Sequence, residues 1–386
     1  MISIALLGFG CVGSGVAEVL TENRKLIESK LGCEYEVKYI LDLRDFPESP
    51  FGELVTHDFS TILNDRDVSI VAEMMGGLHP AYDFTKACLE AGKNVVTSNK
   101  EVVATFGAEL CEIASRNKVR YLFEASVGGG IPIIRPMMAD LASNRINKIS
   151  GILNGTTNFI LTEMCKDGMS FKDALGQAQS FGYAEANPAA DIEGKDAARK
   201  TAILGAIASG KLIPPEEIHT EGIIGISCDD VEIAETLGYS IKLIGYAENR
   251  DGKLLTFVAP MAVPMTNPLA RIDGVYNGIL VSANMVGEVM FYGPGAGKLP
   301  TASAVVADMV DIMEKRGIPV TPISWERAGN DDVADFNFFT CRRLVIVDGE
   351  REDALVVLNG RSAYFTDDIT EAEAHTIDAV AMYRVL

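Results

Sequence analysis

The sequence predicts an α/β chain in which a doubly wound parallel sheet comes first and an α+β region built on a mixed sheet follows. Three observations carry that reading. Short apolar runs alternate with helix-spaced stretches through the first 134 residues, a glycine-rich turn sits directly behind the first run, and longer β-rich segments take over from residue 240. The 386-residue length suits two or three domains, and 48% hydrophobic content supplies real cores, which excludes a disordered chain.

The first apolar run, Ile2–Leu7, stops at Gly8-Phe9-Gly10-Cys11-Val12-Gly13, after which Val16, Val19 and Leu20 recur at helical spacing up to Leu26. Strand, tight turn and helix follow one another. In a G-x-G-x-x-G turn Gly8 permits the bend, Gly10 lets a pyrophosphate approach the backbone, and Gly13 lets the helix pack on the strand. The helix start then offers unpaired N–H groups to the phosphates, so Gly8, Gly10, Cys11, Val12 and Gly13 are the candidate loop of a Rossmann-type nucleotide domain. A glycine-rich corner with no ligand is the bland alternative. Further runs at 37–41, 68–72, Asn94–Thr97 and 119–123, with helix-like stretches 81–91 and 101–117, continue the parallel sheet. The second run ends in Asp42-Leu43-Arg44-Asp45. An acid there would bond a ribose 2′-OH and Arg44 would accommodate a 2′-phosphate, so NAD and NADP both stand.

After Glu124 the chain reads Ala125-Ser126-Val127-Gly128-Gly129-Gly130-Ile131-Pro132, a hinge or a backbone-lined site, and then a helix-like stretch 133–141. From Lys148 it reads strand, Asn154-Gly155-Thr156-Thr157-Asn158, helix, and later one charged helix over 191–209. The β-rich segments 240–247, 254–263 and 278–290 suggest the mixed sheet. A helix over 300–315, with Ala304, Met309, Val310 and Met313 on one buried face, is placed to return to the first sheet. The organisation expected is 1–134 completed by a helix at 300–316, a second domain at 135–299, and a short appendage at 317–386. In that appendage two strand-like pieces, 343–347 and 354–358, flank the turn Asp348-Gly349, and a helix starts near Thr370.

Composition excludes several classes of function. With 54 acidic and 34 basic side chains the net charge is −20, which repels phosphate backbones and anionic lipid, and no local basic cluster offsets it. A nucleic-acid or membrane-surface role is not expected. The 7 cysteines are widely spaced with no C-x-x-C pair, and the 4 histidines lack metal-ligand spacing, so reduced thiols and no zinc are expected. No segment has the 18 or so uninterrupted apolar residues of a membrane span, and the expected location is the cytoplasm.

Six ordered motifs then become specific. The glycine turn, Thr97-Ser98-Asn99-Lys100, the 124–132 segment, Gly151-Ile152-Leu153-Asn154-Gly155-Thr156-Thr157-Asn158, Gly182-Tyr183-Ala184-Glu185 through Lys200, and Gly293-Pro294-Gly295-Ala296-Gly297-Lys298-Leu299-Pro300-Thr301 together resemble homoserine dehydrogenase over about residues 1–315. The resemblance implies reversible NAD- or NADP-dependent interconversion of L-homoserine and L-aspartate 4-semialdehyde, in the biosynthesis of threonine, methionine and isoleucine. It makes 135–299 a substrate-binding and dimerisation domain, and the enzyme a homodimer.

Residue roles follow from the same resemblance. Aldehyde reduction needs a proton for the developing alkoxide, and Lys200 is the matched donor. Lys100 is placed near the hydroxyl and the nicotinamide, where two ammonium groups in one partly dry pocket would depress each other's pKa. Thr97, Lys100 and Gly297 join the cofactor residues, with Arg44 beside the adenosine ribose. Homoserine carries an ammonium and a carboxylate. Glu185, Asp191 and Asp196 are the matched acids, and Gly155 and Thr156 supply backbone and hydroxyl donors at a helix start. Residue types alone leave other roles open: Lys200 as a solvated i, i+4 partner of Asp196, and Asp191 as an N-cap. A monovalent cation, sodium in the family, would be held by the carboxylate of Glu124 and the carbonyls of Val127, Gly129 and Ile131, an oxygen-only set that suits a hard ion.

The tail from Gly317 is too short for the regulatory ACT domain that many relatives carry, which puts threonine feedback in doubt. Two rivals remain. One is another NAD(P)-dependent amino-acid or semialdehyde dehydrogenase. A phosphorylating one would need a reactive cysteine, and Cys165 and Cys228 lie outside any such motif. The other is a nucleotide-binding sensor without catalysis, for which both lysines would be superfluous.

Overall fold

The computed structural model describes all 386 residues and forms two units, Met1–Leu141 with Pro294–Arg327, and Ala142–Gly293 with Ala328–Leu386. In the first unit the strands Ile2–Leu7, Tyr35–Leu41, Val55–Thr56, Val68–Glu73, Asn94–Thr97 and Tyr121–Leu122, counted one to six, lie in the order 3-2-1-4-5-6 and are all parallel. This is the doubly wound Rossmann-type sheet. The order reverses between Ile2–Leu7 and Val68–Glu73, so the carboxyl ends of these two strands border the crevice where such sheets bind ligands.

Every residue of Ile2–Leu7 is buried, because helices cover both faces of a parallel sheet. One cover is the helix Cys11–Glu22, whose Val16 and Leu20 share a core with Ala302, Val305 and Met309 of the helix Lys298–Glu314. Gly15 permits their close approach, since a Cβ there would lie 3.0 Å from Lys298 and 3.1 Å from Ala302. The helix expected over 133–141 is shorter, Ile134–Met138, and is started by the Glu124 carboxylate described below.

The second unit holds a ten-stranded mixed sheet. Its order is Gly287–Pro294, Tyr276–Ala283, Ile146–Ile152, Tyr239–Arg250, Lys253–Pro264, Ala381–Val385, Arg343–Asp348, Arg361–Phe365 and Val356–Leu358, with His219–Thr220 paired off this path to Lys253–Pro264. The central hairpin runs in unbroken register from Tyr239 opposite Pro264 to Arg250 opposite Lys253, and Asp251 and Gly252 both take positive φ in its two-residue turn. Helices Gly155–Asp167 and Lys195–Ser209 pack on this sheet. No helix of the chain is long and apolar enough to cross a membrane.

Three sequence expectations change here, each at a turn. The stretch 278–290 is two strands, because Gly287 turns left-handed after Asn284-Met285-Val286. The charged helix over 191–209 is two helices, Ala189–Ile192 and Lys195–Ser209, broken at Gly194, which sits at φ +81°. The two tail pieces around Asp348-Gly349 do not pair with each other, since Arg361–Phe365 inserts between them and pairs with both. The helix at Thr370 is the short Glu371–Ala374, with Thr370 in a capping box with Glu373.

Candidate active site

In the first unit the glycines carry out three separate steric tasks. Gly8 sits at φ +90° with a Cβ position 2.9 Å from Met74 O, and a Cβ on Gly13 would lie 2.0 Å from Gly8 O. Both are close approaches that only glycine allows. Around Gly10 nothing lies within 4 Å of a Cβ, so this residue keeps space open at the start of the helix. That helix has no side-chain cap, and the first residue, Cys11, is exposed. Its first N–H groups are therefore presented as a ready anion site.

The loop is pinned from the second strand. Asp42 Oδ2 accepts the Phe9 N–H at 2.8 Å, and its two oxygens also take Arg44 Nε at 3.0 Å and Arg44 Nη2 at 3.1 Å, with the Arg44 N–H on Oδ1 at 3.0 Å. The Arg44 guanidinium, with the two backbone N–H groups, pulls the Asp42 carboxyl down to about 2. All four acceptor positions of Asp42 are thus filled within the fold.

At the carboxyl end of Val68–Glu73 the fully buried Glu73 accepts the Thr97 hydroxyl at 2.7 Å and the Met75 N–H at 2.7 Å. Burial pushes its pKa up. The Thr97 Oγ1 in turn receives the Asn99 N–H at 2.9 Å, and Asn99 caps the helix Lys100–Asn117 by accepting from Glu101 and Val102. Lys100 is therefore the first residue of a firmly capped helix.

The 124–131 segment is a built loop. The Glu124 carboxylate accepts three backbone N–H groups, from Ile133 at 2.6 Å, Ile134 at 2.8 Å and Arg135 at 2.7 Å. Its own N–H donates to Asp308 Oδ2 at 2.8 Å, and Asp308 pairs with Arg135 through its other oxygen. Burial pushes the Asp308 carboxyl up to about 7 against the pull of Arg135. Gly129, at φ +57°, would carry a Cβ 2.5 Å from Gly295 O. The turn bonds of this loop use the carbonyls of Phe123, Gly128 and Pro294, and those of Val127, Gly129 and Ile131 are outside them.

In the second unit the polar groups converge on Asn154. Its Oδ1 caps the helix Gly155–Asp167 at the Thr157 N–H, 2.8 Å away, while its Nδ2 donates to Asp191 Oδ1 at 2.7 Å and Asp196 Oδ2 at 2.9 Å. Lys200 Nζ donates to that same Asp196 oxygen at 2.8 Å and to Leu153 O at 2.7 Å. Lys200 is 7% exposed and Asp196 3%, so their i, i+4 pair is buried rather than solvated. Asp191 lies inside Ala189–Ile192 and caps nothing, for Gly194 is the N-cap of the next helix.

Two models of known families match the chain: the NAD binding domain of homoserine dehydrogenase over residues 8–124, and homoserine dehydrogenase over residues 132–310. The chain is 44% identical over 320 residues to the homoserine dehydrogenase of Synechocystis sp., covering 81% of this chain and 73% of that one. With the Corynebacterium glutamicum homoserine dehydrogenase it shares 39% over 373 residues, 95% of this chain and 83% of that one. The chain belongs to the homoserine dehydrogenases. The crystal structure of the Thiobacillus denitrificans homoserine dehydrogenase superposes with TM-score 0.89 at 35% identity, covering 100% of this chain and 98% of that one. A hyperthermophilic archaeal homoserine dehydrogenase mutant in complex with NADPH matches at TM-score 0.70 and 29% identity, over 81% of this chain and 98% of that one.

A homoserine dehydrogenase is an NAD(P)-dependent oxidoreductase that interconverts L-homoserine and L-aspartate 4-semialdehyde. Of the substrate residues named from sequence, Asp191, Asp196 and Lys200 are joined through Asn154 in one hydrogen-bonded group. The Thr156 hydroxyl donates to Tyr183 O at 2.6 Å, so what Thr156 offers at the helix start is its backbone N–H rather than its hydroxyl. Gly155 is required there, since a Cβ would lie 2.7 Å from Val275 O. Glu185 stands exposed in the 181–187 loop, and Gly297 is exposed at φ +115° before the helix Lys298–Glu314. Sequence reasoning gave no role to Asn154, Glu73 or Asp308. Asn154 lay in a quoted motif, Glu73 ends an apolar parallel strand, and Asp308 interrupts the apolar spacing Val305, Met309, Ile312. Each was a detectable polar exception in an apolar pattern.

Proposed function

We propose that the first unit holds the cofactor and the second holds homoserine, with Lys200 as the group that moves the proton. The observation that carries this is the buried Lys200 ammonium, fixed between Leu153 O and an Asp196 that is itself fixed by Asn154. A bound nicotinamide supplies the hydride chemistry. As the aldehyde is reduced, Lys200 gives its proton to the developing alkoxide, and in the oxidising direction the hydroxyl proton returns to the same nitrogen. Lys100, a helix-start cation with capped geometry, helps to stabilise the oxygen charge. Asp191 and Glu185 bind the substrate ammonium, and the N–H groups of Gly155 and Thr156 bind its carboxylate.

The cofactor pyrophosphate binds at Gly10, Cys11, Val12 and Gly13, where a helix start is uncapped and space is kept open; Thr97 and Gly297 flank the same molecule. Because Asp42 has no acceptor position left, the adenosine 2′ position meets Arg44, which supports NADP over NAD. The donor set of the 124–131 loop fits a monovalent hard cation, sodium in this reading, held by the carbonyls of Val127, Gly129 and Ile131 and the remaining lone pair of Glu124 Oε2. The exposed Tyr276, Met285, Met290 and Tyr292 at one edge of the second sheet support a homodimer through that face. The seven cysteines, all free, support a cytoplasmic enzyme.

The test is the absorbance of reduced nicotinamide when the protein meets homoserine with NAD or NADP in separate cuvettes, each in sodium and in choline buffer. Growth faster with NADP, and a melting temperature raised by sodium over choline, is expected. Equal rates with the two cofactors would remove Arg44 from the reading, and a melting temperature indifferent to sodium would remove the cation.

A further inference from the structure

Residues 328–386 take no part in that chemistry, yet through Glu221 they bear on the turn between Asp191 and Asp196. The strand Ala381–Val385 lies parallel to Lys253–Pro264, with Arg384 opposite Met261. The Arg384 side chain is buried and makes two forked pairs. Nε and Nη2 donate to Glu371 at 2.6 and 3.0 Å, and Nη1 and Nη2 donate to Glu221 at 3.0 and 2.7 Å. Arg343 adds a 2.7 Å bond to the same Glu371. Glu221, its side chain 37% exposed, also pairs with His219 Nε2 at 2.7 Å, and these two residues form the rim of the network.

From Glu221 the path is backbone against backbone. The Glu221 N–H is anchored on Val258 O at 2.8 Å, and the Ile223 N–H donates to Ile192 O at 2.9 Å. Between them Gly222 is so tightly placed that a Cβ would lie 2.2 Å from Ile192 O and 2.7 Å from Glu193 Cα. Glu221 O reciprocates, standing 3.0 Å from where Gly194 would carry a Cβ. The 192–194 turn is what separates Asp191 on one short helix from Asp196 and Lys200 on the next.

We infer that Arg384 and Glu221 are positioning residues for the homoserine site: their forked pair fixes 221–223, which sets the 192–194 turn and so the spacing of Asp191 from Asp196 and Lys200. The tail thereby acts on substrate geometry through a chain of direct contacts, none of which touches substrate. The inference rests on the proposed reading of those three residues. A fork of two parallel bonds defines both distance and plane, which a single ammonium in place of Arg384 would not. Removing Arg384 outright would leave the buried Glu371 with Arg343 alone and Glu221 with His219 alone, and would endanger folding. The test therefore starts at the exposed end.

In the full chain, Glu221→Gln, Gly222→Ala and Glu221→Asp are compared with Asp191→Asn, at a temperature where each is folded. Glu221→Gln and Gly222→Ala are expected to raise KM for homoserine on the order of tenfold or more and to lower kcat, with KM for the cofactor unchanged. Glu221→Asp should recover part of the loss. If both variants lower the melting temperature but keep the parent KM and kcat, the tail is a fold element only and the inference is overturned. Should Gly222→Ala fail to fold, Glu221→Gln alone decides, being a near-isosteric change at the rim. If Asp191→Asn itself moves neither constant, the reading of the turn is wrong, and the inference falls for that reason rather than because the tail is uncoupled.

Discussion

The two units assign function to different parts of the chain. In the proposed reading the first offers the cofactor backbone N–H groups, and its defining residues are glycines whose importance lies in what they lack. In the second, the groups are side chains, and Lys200, Asp196, Asp191 and Asn154 each hold another in place. A site of missing side chains is damaged by adding an atom, whereas a network of charges is damaged by removing one. The comparison also separates independent determinants from coupled ones. Gly8, Gly10 and Gly13 answer three different steric demands, while the four polar residues of the second unit are expected to be strongly non-additive.

Five substitutions can break or sharpen that contrast. The largest effect is expected from Lys200→Ala, which should lower kcat by roughly 10²-fold or more while cofactor affinity is retained; an unchanged kcat would take Lys200 out of the mechanism. Next, Gly13→Ala should lower stability by about 1–3 kcal/mol, because its Cβ would overlap the Gly8 carbonyl, and should weaken NAD(P) binding with it. Gly10→Ala provides the control. With open space around it, stability should move by less than about 1 kcal/mol while cofactor binding weakens, as denaturation and titration calorimetry together can show. If both glycines behave alike, the division of labour in the loop is wrong.

Glu185→Leu should raise KM for homoserine by on the order of tenfold, the loss of one charge-assisted bond, with the melting temperature held. A change in melting temperature alone would make Glu185 structural. The smallest effect is on acid stability. The Asp42 carboxyl is held at about 2, below its ordinary 3.8, so its pairing stabilises the fold above about pH 4. That contribution is lost as pH falls toward 2. Asp42→Asn should therefore flatten the decline of stability between these two values, and a parallel decline in both proteins would rule the pair out as a contributor.

Much of the first unit was legible because its determinants are contiguous. The alternation of strands and helices and the glycine turn follow from short contiguous runs, whereas the two-residue strand Val55–Thr56 and the Asn99 cap before Lys100 were not read. In the second unit the motif residues were legible one by one, but the hub at Asn154 was not, because its partners Asp191 and Asp196 are 37 and 42 residues away. The break at Gly194 was missed for a similar reason. Helical periodicity runs through it, and its left-handed φ of +81° and the packing of Thr220 and Glu221 where a Cβ would be appear only in the folded chain. The tail was least legible, since its strands are short and acquire partners only within a sheet that already exists.

The helix Lys298–Glu314 has a consequence for how the molecule is made. Its Val305 and Met309 fill the core beside Val16 and Leu20, and its Asp308 closes on Glu124 from 184 positions further along the chain. At roughly 5–20 residues per second, a ribosome needs on the order of 10 to 40 s to cross that interval. Throughout it the nucleotide helix has its contacts with the early strands but lacks those to Ala302, Val305 and Met309, and the pairing that ends the delay closes a long loop, a slow step for any chain. The first unit is thus completed only after six of the ten strands of the second unit's sheet have been synthesised, and before the four strands of the tail.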